Sequence, residues 1–259
     1  MVMSAVEGLS RILQGHSVSA SSVHHPIPAN NSPHWDLLKY LADLCHLLSF
    51  IVLIYNMKKK KNCLGVSYRT QEIYLVIFTL RYSDIFTAWA GYWNFTFKIL
   101  FFSLTLYSIY LIRLERPTCV SYEAIMDRFP HYKTIYPAAI IIGFLLPDHS
   151  VWSALHPYFH KVYNITVVME AFAIVPQLMV LRKIREIEIV TGGYIFFLGI
   201  YRGIYLLSWL WRMYELHFYF SHIYIKFVFG TIQFLLYGDF LLNYIKSVQE
   251  KKPFVHLPV

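Results

Sequence analysis

The sequence predicts an all-α polytopic membrane protein with seven transmembrane helices. Three observations carry that reading: an apolar composition, apolar runs of spanning length, and basic residues confined to alternate connections. Of 259 residues, 57% are apolar, 18% aromatic and 15% charged, and mean hydropathy is +0.45. A soluble domain of this length cannot bury so large an apolar share, so the surplus faces lipid. The net charge of +8 does not indicate nucleic acid, because that partner needs a basic face and the bases here stand in short clusters.

In chain order, residues 1–35 are rich in Ser and His, carry Pro26, Pro28 and Pro33, and lack the h-region of a signal peptide. They read as a disordered tail with a glycosylation sequon at Asn30, Asn31 and Ser32. A seven-helix membrane domain covers 36–246, and 247–259 forms a C-terminal tail. Spans are expected near 37–56, 71–90, 95–113, 134–147, 159–180, 193–211 and 220–245, the fourth being short. Lys58 to Lys61 and Arg69 follow the first span, and Arg113, Arg116, Arg128 and Lys133 follow the third. Arg182, Lys183 and Arg185 follow the fifth, and Lys246, Lys251 and Lys252 follow the seventh. The alternate connections, around 90–94, 147–157 and 214–219, hold no Lys or Arg. The positive-inside rule puts the basic side and the C-terminus in the cytosol and the N-terminus outside it. Cys45 falls in a span and Cys63 and Cys119 in cytosolic loops, so no disulfide is expected.

The spans carry more charge than lipid tolerates, since a central Arg, Lys or Asp costs about 2.5 to 3.5 kcal/mol on insertion scales. Lys39, Asp43 and His46 share one face of the first helix. Arg81 and Asp84 lie three apart on the second, Glu170 on the fifth, Arg202 and Arg212 on the sixth, and Lys226 and Asp239 on the seventh. Taken singly, each has a structural reading. Arg81 with Asp84 is an ion pair within one helix, Lys39 and Lys226 snorkel, Arg212 ends a helix and His46 packs. Taken together, Arg81 beside Tyr82 and Arg202 beside Tyr201 point to one polar cavity, with Lys39 and Arg212 nearby. Guanidinium groups grip carboxylates bidentately, so the ligand expected there carries more than one carboxylate. His46 adds a group able to change charge between mildly acidic and neutral compartments. Pro176 with Gln177 marks a break in the fifth helix. Arg81-Tyr82 with Trp89, and Tyr201-Arg202 with Trp209, recur at an offset of roughly 120 residues, as two parallel three-helix repeats about one linking span would give. No nucleophile and base pair, phosphate loop or Cys/His metal spacing occurs, so neither an enzyme nor a metal or cofactor site is expected.

Several of these stretches, in order between about residues 36 and 252, are similar to the KDEL receptor family, the ER-lumen protein-retaining receptors. They are Asp43-Leu44-Cys45-His46, Arg81-Tyr82-Ser83-Asp84, Glu170-Ala171-Phe172 through Pro176-Gln177, Tyr201-Arg202-Gly203-Ile204-Tyr205 with Trp209 and Arg212, and Tyr237-Gly238-Asp239-Phe240. The resemblance implies a SWEET-like (PQ-loop-like) fold of two three-helix bundles and a linking helix. It also implies a multi-pass sorting receptor of ER and cis-Golgi membranes. Such a receptor binds C-terminal K-D-E-L-type tetrapeptides of luminal ER proteins at acidic Golgi pH, returns them by COPI vesicles and releases them at neutral pH. By the same resemblance Arg81, Tyr82 and Arg202 would hold the terminal carboxylate, and Lys39 and Arg212 the acidic side chains. Asp84, Trp209, Tyr205, His160 and Tyr163 would line the rest of the site. His46, Tyr201 and Glu170 would form a proton-sensitive latch. Lys246, Lys251 and Lys252 would serve coat recognition, and Asp239 the conformational change of recycling.

The chain departs from the family pattern at several positions. Lys39 stands for an Arg, His160 for an acidic residue, Tyr163 for a Trp, Ala88 for an Asn, and Gly192-Gly193 for a Ser-His pair. His160 would repel a basic first signal residue in acid, so the preferred signal is expected to differ from K-D-E-L there. The runner-up function is a SWEET or PQ-loop transporter of a sugar or amino acid.

Overall fold

The computed structural model describes residues 33–86, 91–147, 157–215 and 221–256. The expected N-terminal tail with its sequon lies outside these residues except at its last positions, as do Ala88 and Trp89. The described helices are α1 (Pro33–Lys60), α2 (Tyr68–Arg81), α3 (Tyr92–Arg113), α4 (Ile135–Leu145), α5 (Pro157–Phe172), α6 (Val175–Ile184), α7 (Ile189–Glu215) and α8 (Ser221–Gln249). Two three-residue strands, β1 (Glu186–Glu188) and β2 (Phe254–His256), pair antiparallel with Ile187 opposite Val255. The helices match the predicted class; the strands were not foreseen, because three residues are too few to set up a period.

Five stretches are long and apolar enough to cross a membrane: 37–60, 92–113, 160–184, 189–214 and 223–249. The expected second span is shorter than foreseen. α2 stops at Arg81 and continues as a 3₁₀ turn over Tyr82–Phe86. There the Ser83 hydroxyl donates to the Leu80 carbonyl at 2.8 Å, the local competition with helical bonding that Ser favours. α4 has 11 residues, ended by an extended Leu146 just before Pro147. The break expected at Pro176 is present. α5 closes at Phe172, a two-residue turn follows, and α6 starts with Pro at its first positions, where the missing N–H costs nothing.

Large apolar side chains such as Ile141, Leu145, Leu235 and Leu242 are exposed on helix surfaces, as lipid-facing positions require. α2 packs on α3, α5 and α6, α4 on α5, and α8 on both α5 and α7. The short α4 sits hard against α5, since a Cβ on Gly143 would come within 2.7 Å of the Ile165 backbone. One apolar core gathers Phe50, Ile73, Ile77 and Phe101 with Val168. A second gathers Leu53, Leu111, Leu181, Tyr194 and Phe240 and extends to Ile187 and Val255 of the strands.

The basic connections meet at one end. Lys58 pairs with Glu115 at 3.3 Å, Lys60 with Glu188, and Lys183 Nζ donates to the Met126 carbonyl at 2.7 Å. Asp127 is the hub of this end. It accepts from the Ser67 hydroxyl at 2.9 Å, the Arg69 N–H at 3.1 Å and the Tyr122 hydroxyl at 2.9 Å. The side chain of Gln177 accepts from the Ser67 N–H at 2.8 Å and donates to the Gly65 carbonyl at 2.5 Å, so the polar residue after Pro176 ties the helix break to the start of α2.

Candidate functional site

Toward the other end a cavity of about 210 Å³ opens among α1, α2, α3, α5, α7 and α8. Its core is a three-residue ion cluster. Arg81 Nη1 donates to Glu170 Oε2 at 2.6 Å, and Arg202 Nη2 donates to Glu170 Oε1 at 2.5 Å. One carboxylate from α5 thus holds guanidinium groups from α2 and α7, which answers the cost of burying them. Arg202 is 4% exposed, and its Nη2 also donates to the Tyr201 hydroxyl at 2.8 Å. Arg81 Nε reaches the Thr166 hydroxyl at 3.3 Å.

The cluster does not exhaust its donors. Arg81 Nη2, Arg202 Nε and Gln233 Nε2 are buried without an acceptor among the described residues, and all three residues line the cavity. Buried polar groups are nearly always paired, so unpaired donors concentrated in one cavity call for an anionic or hydrogen-bonding ligand.

The convergence of Arg81 and Arg202 expected from sequence is present. The partner the structure gives Arg81, however, is Glu170 on another helix, and the side chain of Asp84 lies outside the described residues. The ring of His46 stacks on Tyr201 with centroids 4.3 Å apart and planes 6° from parallel, and it also touches Phe101. Tyr82, Tyr163, Tyr205 and Trp209 line the same space. Tyr82 stacks on Phe78 at 5.2 Å. Trp209 stands over Gly230, where a Cβ would come within 2.4 Å of the indole.

Lys39, His160 and Arg212 are not among the described lining residues. Lys39 Nζ donates to Asn94 Oδ1 at 2.7 Å, His160 is half-buried and Arg212 exposed. Asp239 is exposed, near Leu178, Arg182 and Phe240, and accepts from the side-chain amide of Asn243. Lys246, Lys251 and Lys252 are exposed at the end where the basic loops meet, with Lys252 paired to Glu250 at 2.5 Å.

The sequence reading left out of the site three polar residues that line it: Asp43, Lys226 and Gln233. Asp43 Oδ1 accepts from the Tyr205 hydroxyl at 2.5 Å and Oδ2 from Trp93 Nε1 at 2.9 Å, pinning α1 to α7 and α3. Its three-residue spacing from His46 was the available signal. For Lys226 and Gln233 it was their seven-residue spacing, which keeps one helical face polar.

A family model described as ER lumen protein retaining receptor matches residues 62–212. An ER lumen protein-retaining receptor of Plasmodium falciparum is 35% identical over 79% of the chain and 90% of its own length. ER lumen protein-retaining receptor B of Arabidopsis thaliana is 33% identical over 84% and 97%. ER lumen protein-retaining receptor 3 of Xenopus laevis is 33% identical over 86% and 100%.

Proposed function

The chain belongs to the ER lumen protein retaining receptor family, and on that premise we propose that it is a sorting receptor for the C-terminal tetrapeptide of luminal ER proteins. It is a receptor, not an enzyme. It captures K-D-E-L-type signals in the acidic Golgi, returns them in COPI vesicles and releases them at neutral pH. The observation that carries the reading is the meeting of half-buried Arg81 and buried Arg202 over Glu170 with donors to spare. A free chain end supplies the carboxylate those donors lack. Arg81, Tyr82 and Arg202 take that terminus, Lys39 and Arg212 the acidic side chains, and Asp84, Tyr205 and Trp209 the rest of the peptide.

The proposed fold counts α2 with its 3₁₀ extension and α4 as spans two and four, and α5 with α6 as span five. This gives seven in the SWEET-like arrangement, with residues 36–246 as the receptor domain. The meeting of the basic loops at one end supports a cytosolic face there, with a luminal N-terminus and a cytosolic tail from 247. Lys246, Lys251 and Lys252 offer that tail to the coat, and Asp239 serves the change of shape.

His46, Tyr201 and Glu170 act as the proton latch. Protonated His46 favours the bound state near the Glu170 carboxylate, so affinity falls as pH rises through the imidazole titration. A tenfold change needs about 1.4 kcal/mol. His160 disfavours a basic first signal residue in acid, and tetrapeptides varied only at that position test this; an undiminished preference for Lys there refutes it. The relatives' names as receptors weigh against the transporter reading. The deciding experiment measures binding of a labelled tetrapeptide near pH 5.5 and near pH 7.4, with the C-terminal amide as control. Tighter binding in acid that the amide abolishes is expected; equal binding of acid and amide would refute terminal-carboxylate capture.

A further inference from the structure

Lys226 is a third cation in the cavity. It stands on the α8 face that also presents Phe229, Gly230 and Gln233 to that space, the i, i+3, i+4, i+7 pattern of one helical stripe. Its Nζ lies 5.0 Å from the centroid of Tyr163, and the guanidinium carbon of Arg81 lies 5.4 Å from the same centroid. The ring therefore gathers two positive charges. The cavity carboxylates are committed elsewhere. Glu170 holds both arginines, and Asp43 accepts from Tyr205 and Trp93. Among the described residues no carboxylate lies within ion-pair distance of Lys226. Rather than reaching past the bundle to an interface, the ammonium is half-buried beside a tyrosine. Arg81, Arg202 and Lys226 against Glu170 and Asp43 leave one positive charge unbalanced inside a bilayer-embedded space, where anions are favoured.

We propose that Lys226 is a specificity residue whose ammonium binds a side-chain carboxylate of the captured peptide, next to the site of its terminal carboxylate across the ring of Tyr163. An extended chain advances about 3.3–3.6 Å per residue, so an acidic side chain one to three positions before the terminus reaches it. The inference rests on the sorting-receptor reading.

The test uses the purified full-length chain, labelled K-D-E-L, and versions in which Asp or Glu is replaced singly by Asn or Gln. Lys226→Met should weaken K-D-E-L about tenfold and leave one of the amide versions nearly unaffected, and Lys226→Arg should restore binding to within about threefold. Equal losses for acidic and amide peptides, or no loss at all, overturn the inference while leaving the receptor reading in place. No binding of any tetrapeptide by the unsubstituted chain overturns both. If Lys226→Met does not purify as a monodisperse species, Lys226→Gln takes its place and the acid-to-amide ratio measured on it decides the case. A ratio fallen toward one supports the inference, and a ratio unchanged from the unsubstituted chain overturns it.

Discussion

The network around Asp127 and Gln177 at one end of the bundle and the cavity toward the other both bury polar groups, and they treat them in opposite ways. At the closed end Ser67, Thr70 and Gln177 are each 0% exposed and Asp127 3%, and every side-chain oxygen and nitrogen among them has a partner. The Ser67 hydroxyl donates to Asp127 and accepts from the Thr70 N–H, and the Thr70 hydroxyl accepts from the Gln177 N–H at 3.0 Å. In the cavity, guanidinium and amide donors are left over. A saturated network fixes a geometry and has nothing to offer a ligand; an unsaturated one stores binding capacity at the expense of stability. Substitutions at the two ends should therefore separate stability from affinity.

The largest effect is expected at the arginines. Arg81→Ala or Arg202→Ala should weaken tetrapeptide binding more than a hundredfold, since each removes charge-assisted hydrogen bonds of about 1.5–3 kcal/mol apiece. The melting temperature should fall far less in proportion, because Glu170 keeps one partner. Binding isotherms and thermal unfolding on the same preparations check this, and a loss of affinity confined to unfolded material would erase the distinction. Next comes Gln177→Ala, which strands the Ser67 N–H and the Gly65 carbonyl and should cost about 1–3 kcal/mol each in stability. The surviving folded protein should bind peptide with unchanged affinity. Gly143→Ala, which drives a methyl into the α5 backbone, should cost about 1–3 kcal/mol with the same silence in binding. His46→Ala should flatten the pH dependence of binding, about a tenfold effect, with little change at the acidic end; a retained slope would move the sensor elsewhere.

The smallest effect concerns the closed end alone. Burial raises the Cys63 thiol above its ordinary pKa, so less thiolate is present at neutral pH. Cys63 should label with maleimide several-fold more slowly than Cys119, and the gap should narrow as pH rises. The Tyr122 hydroxyl is pushed up by burial and by Asp127. Tyr132, hydrogen-bonded to Glu72, is pushed up to about 12. Both phenols thus stay protonated donors across the physiological range.

Much of this was legible beforehand, for identifiable reasons. Lipid forces apolar composition and charge asymmetry on every span, so the helices and the clustering of basic loops followed from counting. Arg81 and Arg202 stood out because a buried guanidinium is costly wherever it occurs. What could not be read was partnership. Nothing local to Arg81 distinguishes Asp84, three residues on, from Glu170, 89 residues away, because only packing of α2 against α5 creates the latter pair. The 14-residue α2 was overestimated because Tyr82 and the residues after it are apolar enough to continue a span while Ser83 turns the backbone out of α-helical bonding. Gln177 looked like a stray polar residue, since its two bonds are made to a segment more than 100 residues earlier.

The pairing of the last strand with Glu186–Glu188 has a practical corollary for anyone trimming this protein. Val255 is 0% exposed and Ile187 5%, and the Ile189 N–H is bonded to the carbonyl of Pro253 at 3.1 Å. Truncating at residue 250 would uncover an isoleucine near the start of α7 and orphan an amide there, so the damage would surface in the middle of the sequence rather than at its end. Affinity tags and fluorescent fusions at this end belong after the strand, with Phe254–His256 retained.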